Sequence, residues 1–151
     1  MPVDSARQAA SENLRYRVGV IRKFKITPIL FVGSIEASLS FWEARLGFTR
    51  TVELPAGNKL GFVILTHGDT EIMLQTRESV EGDLPELAGL AEPRGGIYIE
   101  VDDFRDLLQR LEGIQAVVPV RDTAYGMTEI VVREPGGNTI AFAGRTEVRG
   151  T

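Results

Sequence analysis

A chain of 151 residues, 43% hydrophobic and 25% charged, predicts one globular domain or two small halves that share a core. With no cysteine and one histidine, it excludes disulfides, thiol nucleophiles, Cys-ligated zinc, iron–sulfur clusters and any site needing two histidines of one chain. The net charge of −4 argues against nucleic acid as a partner, and no apolar run approaches the ~20 residues that cross a bilayer.

Residues 1–25 form a polar N-terminal extension rich in Ala and Arg. Ser5 and Gln8 are spaced as a capping box, so a short helix over 5–17 is expected. Arg15, Arg17, Arg22, Lys23 and Lys25 read as a solvated basic face. The extension lacks the apolar stretch of a secretory signal, and a cytoplasmic protein is expected.

Residues 26–76 carry the first repeat of a βαβββ pattern. Ile26–Val32 reads as a strand with Pro28 near its entry. Ser34 stands at an N-cap position. Ile35, Leu39, Trp42 and Leu46 follow at helical spacing, and Gly47 ends the helix. Phe48–Glu53 is a strand and Pro55–Asn58 a turn. Lys59–Thr66 alternates apolar and polar residues, His67–Asp69 turns, and Thr70–Thr76 closes the module. Trp42 is expected in the core, and His67 at an exposed hairpin.

Residues 77–94 read as an acidic linker loop, with one helical turn through Leu84, Leu87 and Leu90. Residues 95–144 repeat the first pattern. The strand Gly96–Val101 leads to a helix capped by Asp102 or Asp103, carrying Phe104, Leu107, Leu108 and Leu111 and closed by Gly113. Strands follow at Ala116–Arg121, Thr128–Arg133 and Thr139–Ala143, with Glu134–Asn138 as a tight turn. Residues 145–151 are a tail. The halves superpose at a shift of about 69 residues, placing Val32 on Val101, Ile35 on Phe104 and Leu39 on Leu108. Such a repeat predicts an α+β fold of two paired βαβββ modules, forming a curved mixed sheet with helices outside and a concave groove inside.

The run Phe31-Val32-Gly33-Ser34-Ile35-Glu36-Ala37-Ser38-Leu39-Ser40-Phe41-Trp42, followed by Leu46-Gly47-Phe48, resembles the VxDxxxSxxFYxxxLGF opening of the vicinal oxygen chelate superfamily. This is the glyoxalase, bleomycin-resistance protein and extradiol dioxygenase group. Ala124–Glu129 and Glu134-Pro135-Gly136-Gly137-Asn138 are similar to its xYGxREF…DPDGN ending. The chain departs from the pattern at Ser34, Trp42, Thr128, Glu134 and Gly136. The resemblance spans residues 26–144.

Enzymes of that family hold a divalent metal through His or Gln early in the first strand of each half and Glu near the end of each half. The resemblance places those positions on Thr27, Met73, Gly96 and Ala141. A register slip of one would bring Pro28, Ile72 or Leu74, Ile97, and Ile140 or Phe142 instead. None of these is a good ligand for a hard, oxygen-chelated metal. Neither a metal nor another cofactor is therefore expected, and the resemblance implies the metal-free bleomycin-resistance branch.

Strand alternation then sorts the faces. Thr27, Ile29 and Phe31 share one face, as do Glu71, Met73 and Gln75. Tyr98 and Glu100 fall on the Gly96 face, and Ala143 on the Ala141 face. Tyr125 and Glu129 sit by the second-half groove. The groove set is thus Thr27, Ile29, Phe31, Glu71, Met73, Gln75, Tyr98, Glu100, Tyr125, Glu129 and Ala141. Its carboxylates and aromatic rings suit a cationic, planar small molecule, and the resemblance implies antibiotic sequestration by a homodimer. Two alternatives stand beside this. One is a lyase, isomerase or dioxygenase-type enzyme with a displaced metal site or with Glu71, Glu100 or Glu129 as acid/base. The other is a scaffold that uses the 77–94 segment.

Overall fold

The computed structural model describes residues 19–23, 25–90 and 96–147. The expected helix at 5–17 lies outside them, as do Arg15 and Arg17 of the basic cluster. The first module comprises β1 (Ile29–Val32), α1 (Ile35–Leu39), β2 (Thr49–Ala56), β3 (Lys59–His67) and β4 (Thr70–Thr76). The second comprises β5 (Gly96–Glu100), a helix (Phe104–Arg110), β6 (Ala116–Asp122), β7 (Met127–Arg133) and β8 (Thr139–Arg145). Between them α2 (Arg77–Asp83) leads into a 3₁₀ segment, Pro85–Leu90; the Phe104–Arg110 helix is α3.

The expected α+β repeat is present. The curved sheet takes the form of two four-stranded sheets, ordered β1-β4-β3-β2 and β5-β8-β7-β6. In each, the first strand runs parallel to the last and the other pairings are antiparallel. Ile29 stands opposite Met73, and at the matching place Tyr98 stands opposite Ala141. The described residues show no ladder joining the two sheets, so β1 and β5 each keep an unpaired edge.

Ser34 caps α1, its hydroxyl accepting the Ala37 amide at 3.2 Å. The helix then widens into a π-helical turn over Ser40–Arg45, where the Leu46 amide reaches back to the Phe41 carbonyl at 3.2 Å. The wider turn carries Phe41 and Trp42, both fully enclosed, and ends at Gly47 with φ 78°. The segment read as a loop from residue 77 begins as a helix. Its cap is Thr76, whose hydroxyl accepts the Ser79 amide at 3.1 Å, and Val80 anchors it in the interior. The scattered acidic residues concealed that single apolar anchor. β2 also continues through Pro55 to Ala56, as an edge strand tolerates proline.

One core serves both modules. Val32, Ile72 and Leu74 of the first sheet and Val132, Ile140 and Phe142 of the second belong to one cluster with Trp42, Leu107 and Leu111. Phe41 and Phe142 meet across the junction, ring centroids 6.4 Å apart. The helix ends are tied as well. Arg45 donates to the Arg110 and Glu112 carbonyls at 3.1 and 2.8 Å, and Arg110 returns a bond to the Arg45 carbonyl at 3.1 Å. No helix of the described residues is long and apolar enough to cross a membrane.

Candidate functional site

The strand faces turned away from this core carry the candidate site. Alternation places Leu30, Ile72, Leu74, Ile140 and Phe142 inward and buried. Ile29 and Tyr98 remain exposed, and Phe31, Met73 and Ala141 half-buried. Gln75 and Glu129 are the buried members of the set, the Gln75 amide donating to the Ser79 hydroxyl at 3.2 Å.

On the first sheet, Glu71 is already partnered. The Lys25 ammonium lies 3.1 Å from its carboxylate, and the Thr27 hydroxyl donates to the same oxygen at 3.3 Å. Of the three candidate carboxylates it therefore has the least charge to offer a ligand.

On the second sheet, the register sets Glu100, Ala143, Glu129 and Arg121 side by side across the four strands. The next row is Tyr98, Ala141, Val131 and Val118. Glu129 is 4% exposed, and the Tyr125 hydroxyl donates to its carboxylate from a position that is itself 67% exposed. That bond lifts the Tyr125 phenol above its ordinary range, with desolvation and the Glu129 charge acting in the same direction. Tyr125 can lie there because Gly126, at φ 80°, turns the chain into β7. Small Ala141 and Ala143 thus form a floor bordered by two tyrosines and two carboxylates.

The family's metal does not fit the four positions named from the motifs. Thr27 is engaged with Glu71, Met73 offers a soft thioether, Ala141 offers no donor, and a Cβ at Gly96 would lie 3.1 Å from the Thr139 carbonyl oxygen. Among the described residues no group of three or more His, Asp or Glu side chains could hold a metal ion. His67 is exposed at its hairpin, as expected, with its ring 5.6 Å from that of Phe48.

The structure also shows a junction that was not anticipated as such. Glu134, 2% exposed, accepts the Asn138 amide at 2.9 Å and the Asn138 side chain at 2.7 Å. It also accepts the Ser38 hydroxyl of α1 at 3.4 Å. Asn138 donates to the Phe31 carbonyl at 3.1 Å, and Arg77 to the Gly136 carbonyl at 3.0 Å. A Cβ at Gly136 would come within 2.5 Å of Val32. The turn signal was legible in the sequence; its role as a clasp between modules depends on partners about a hundred residues away.

The first and second sheet faces, then, display the predicted residues separately. No hydrogen bond or ion pair of the described residues links one face to the other. The floor under Tyr125 is the place where ring, carboxylate and small side chains converge.

Solved structures share this architecture. A glyoxalase/bleomycin resistance protein/dioxygenase from Nocardioides is 23% identical, with 93% of this chain and 98% of that chain covered and a TM-score of 0.64. Lactoylglutathione lyase from Agrobacterium tumefaciens is 17% identical, with 81% and 94% covered and a TM-score of 0.64. TioX from Micromonospora sp. ML1 is 18% identical, with 84% and 100% covered and a TM-score of 0.62. At these identities the likeness establishes the fold. No curated protein matches the sequence. The family profile described as Glyoxalase/Bleomycin resistance protein/Dioxygenase superfamily matches residues 24–142, and with the paired βαβββ modules in place, the chain belongs to that superfamily.

Proposed function

We propose that this protein binds a small, planar, cationic molecule on its outward sheet faces without a metal at the family's usual positions, and acts by sequestering it. The observation that carries this reading is the second-sheet floor. Glu100 and Glu129 flank Ala143, and Tyr98 stands beside Ala141. Carboxylates attract a cation, exposed rings stack on its planar body, and the alanines leave room for it. Sequestration asks for affinity and no bond-making step. A cytoplasmic binder that lowers the free concentration of an antibiotic fits this chemistry.

The reading includes a homodimer. The unpaired edges of β1 and β5 carry Ile29, Phe31, Tyr98 and Glu100 of the site itself. Ile29 is 42% and Tyr98 49% exposed. An open strand edge that exposes an apolar or aromatic side chain is suited to pairing with a second copy. That pairing would bring a first-module face against a second-module face and complete a groove that one chain leaves in two parts.

Thermal shift with metal-free bleomycin, a cationic glycopeptide, tests the reading. Stabilisation of the wild type is expected, with loss or strong weakening in Tyr98→Ala and Glu100→Gln. Sedimentation should give a dimer for the wild type and a monomer for Ile29→Lys. Binding untouched by both groove substitutions would overturn the assignment of the site. Stoichiometric metal together with turnover of a hemithioacetal or a catechol would overturn the sequestration reading.

A further inference from the structure

The geometry points to a second binding site, in the cavity between the two modules, for a small organic cation with an apolar body. The cavity has a volume of about 440 Å³, within the range of pockets that take small molecules. It lies on the core side of the sheets, away from the floor under Tyr125. Leu46 and Phe48 line it from the first module, and Ile99, Leu107 and Phe142 from the second. His67, the single histidine, and Thr70 border it at the β3–β4 hairpin.

The charges around this apolar lining are one-sided. Asp102, Asp103 and Asp106 stand on the second-module wall, whereas Glu100, at the strand end bordering the cavity, falls by alternation on the outward floor. Arg110 also borders the cavity, but its guanidinium is committed. It bonds Asp106 at 2.7 Å and the Arg45 carbonyl at 3.1 Å. Asp103 accepts the Asp106 amide at 3.0 Å as the cap of α3. Asp102 has no ion-pair partner among the described residues. An anion entering here would meet the unpaired Asp102 beside the capping carboxylate of Asp103, and a neutral apolar molecule would leave Asp102 unanswered. An ammonium group beside Asp102, with its hydrocarbon against Phe48 and Phe142, satisfies both parts of the lining. Because the cavity is walled by both modules, such a ligand would bridge them and stabilise the fold by mass action.

Calorimetric titration and thermal shift with 1-naphthylmethylammonium, against 1-naphthylacetate as the same ring with opposite charge, test the proposal. The cation should bind saturably and raise the melting temperature, whereas the anion should do neither. Asp102→Asn should weaken the cation about three- to tenfold, and raised salt should weaken it further. Thr70→Trp places a large side chain at an exposed strand start that borders the cavity and should abolish binding. Circular dichroism would show that variant folded, and retained bleomycin binding would show its sheet face intact. Equal binding of both probes, no binding of the cation, or an unchanged affinity in a folded Thr70→Trp would overturn the proposal. So would an unchanged affinity in Asp102→Asn. Loss of the cation in Tyr98→Ala would assign it to the sheet face and overturn the second site.

Discussion

The hydroxyl of Ser38 in α1 donates across the module boundary to the buried carboxylate of Glu134, at 3.4 Å, in the turn between β7 and β8. The same carboxylate organises that turn by accepting both nitrogens of Asn138. A single acidic side chain therefore fixes the local turn and its docking on the other half of the molecule. Glutamate, one methylene longer than the aspartate of the family pattern, spans both tasks.

Removing that acceptor should be costly. Glu134→Ala leaves the Asn138 amide buried and unpaired, and a loss of about 1–3 kcal/mol is expected in urea unfolding. Glu134→Gln keeps one acceptor oxygen, and its new amide can donate to the Ser38 hydroxyl. Its cost should be clearly smaller. Equal losses would show that the charge, and not the hydrogen-bond pattern, carries the clasp.

Gly136 lies in the same turn, and its backbone passes close to Val32. A methyl there would meet Val32 at 2.5 Å and the Glu134 carboxylate at 2.7 Å. Gly136→Ala should destabilise by about 1–3 kcal/mol through overpacking. Combined with Val32→Ala, which removes the nearest methyl, it should cost less than the two single changes added, by at least about 0.5 kcal/mol. Strict additivity of the denaturant midpoints would contradict the contact.

Glu36 offers a pH test. The Leu60 amide donates to its carboxylate at 2.8 Å and, as the main cause, holds its pKa below the usual carboxylate value. A folded pKa lower than the unfolded one contributes stability above the unfolded pKa, and that stability is lost as pH falls through the folded pKa. The site is exposed, so solvent screening keeps the effect small. Wild type should exceed Glu36→Gln in stability at neutral pH, and the difference should shrink towards zero in acid. A difference that grows in acid would refute the assignment.

Tyr125 should ionise above the ordinary phenol range, because its hydroxyl donates to the Glu129 carboxylate. Phenolate absorbance followed through alkaline titration reads this directly. In Glu129→Gln the Tyr125 transition should move down by removal of the charged acceptor. An unmoved transition would show that the pair does not persist in solution.

Much of the fold was legible from residue pattern alone. Ser34 before Ile35, Gly47 after the helix, and alternating Ile97, Ile99 and Val101 each reflect a local constraint of capping, left-handed backbone or pleat. The matching register of Ile29–Met73 and Tyr98–Ala141 is the repeat made visible. What the sequence concealed depends on distance along the chain. Nothing near Glu71 announces Lys25, 46 residues away, as its partner. Nothing near Glu134 announces Ser38, 96 residues away. The helix after Thr76 was masked by acidic side chains around one buried valine. Parity placed Glu100 on the Tyr98 face; the register that sets Glu129 across Ala143 from it is seen only in the structure. The Tyr125 contact that covers Glu129 comes from a loop, where parity does not apply.

The most direct test of metal-free sequestration is calorimetric titration of chelator-treated, metal-analysed protein with metal-free bleomycin. Saturable binding, unchanged when Ni, Zn, Mn or Fe is restored and lost in Glu100→Gln, is the predicted result. Binding that appears only after stoichiometric metal uptake would contradict it.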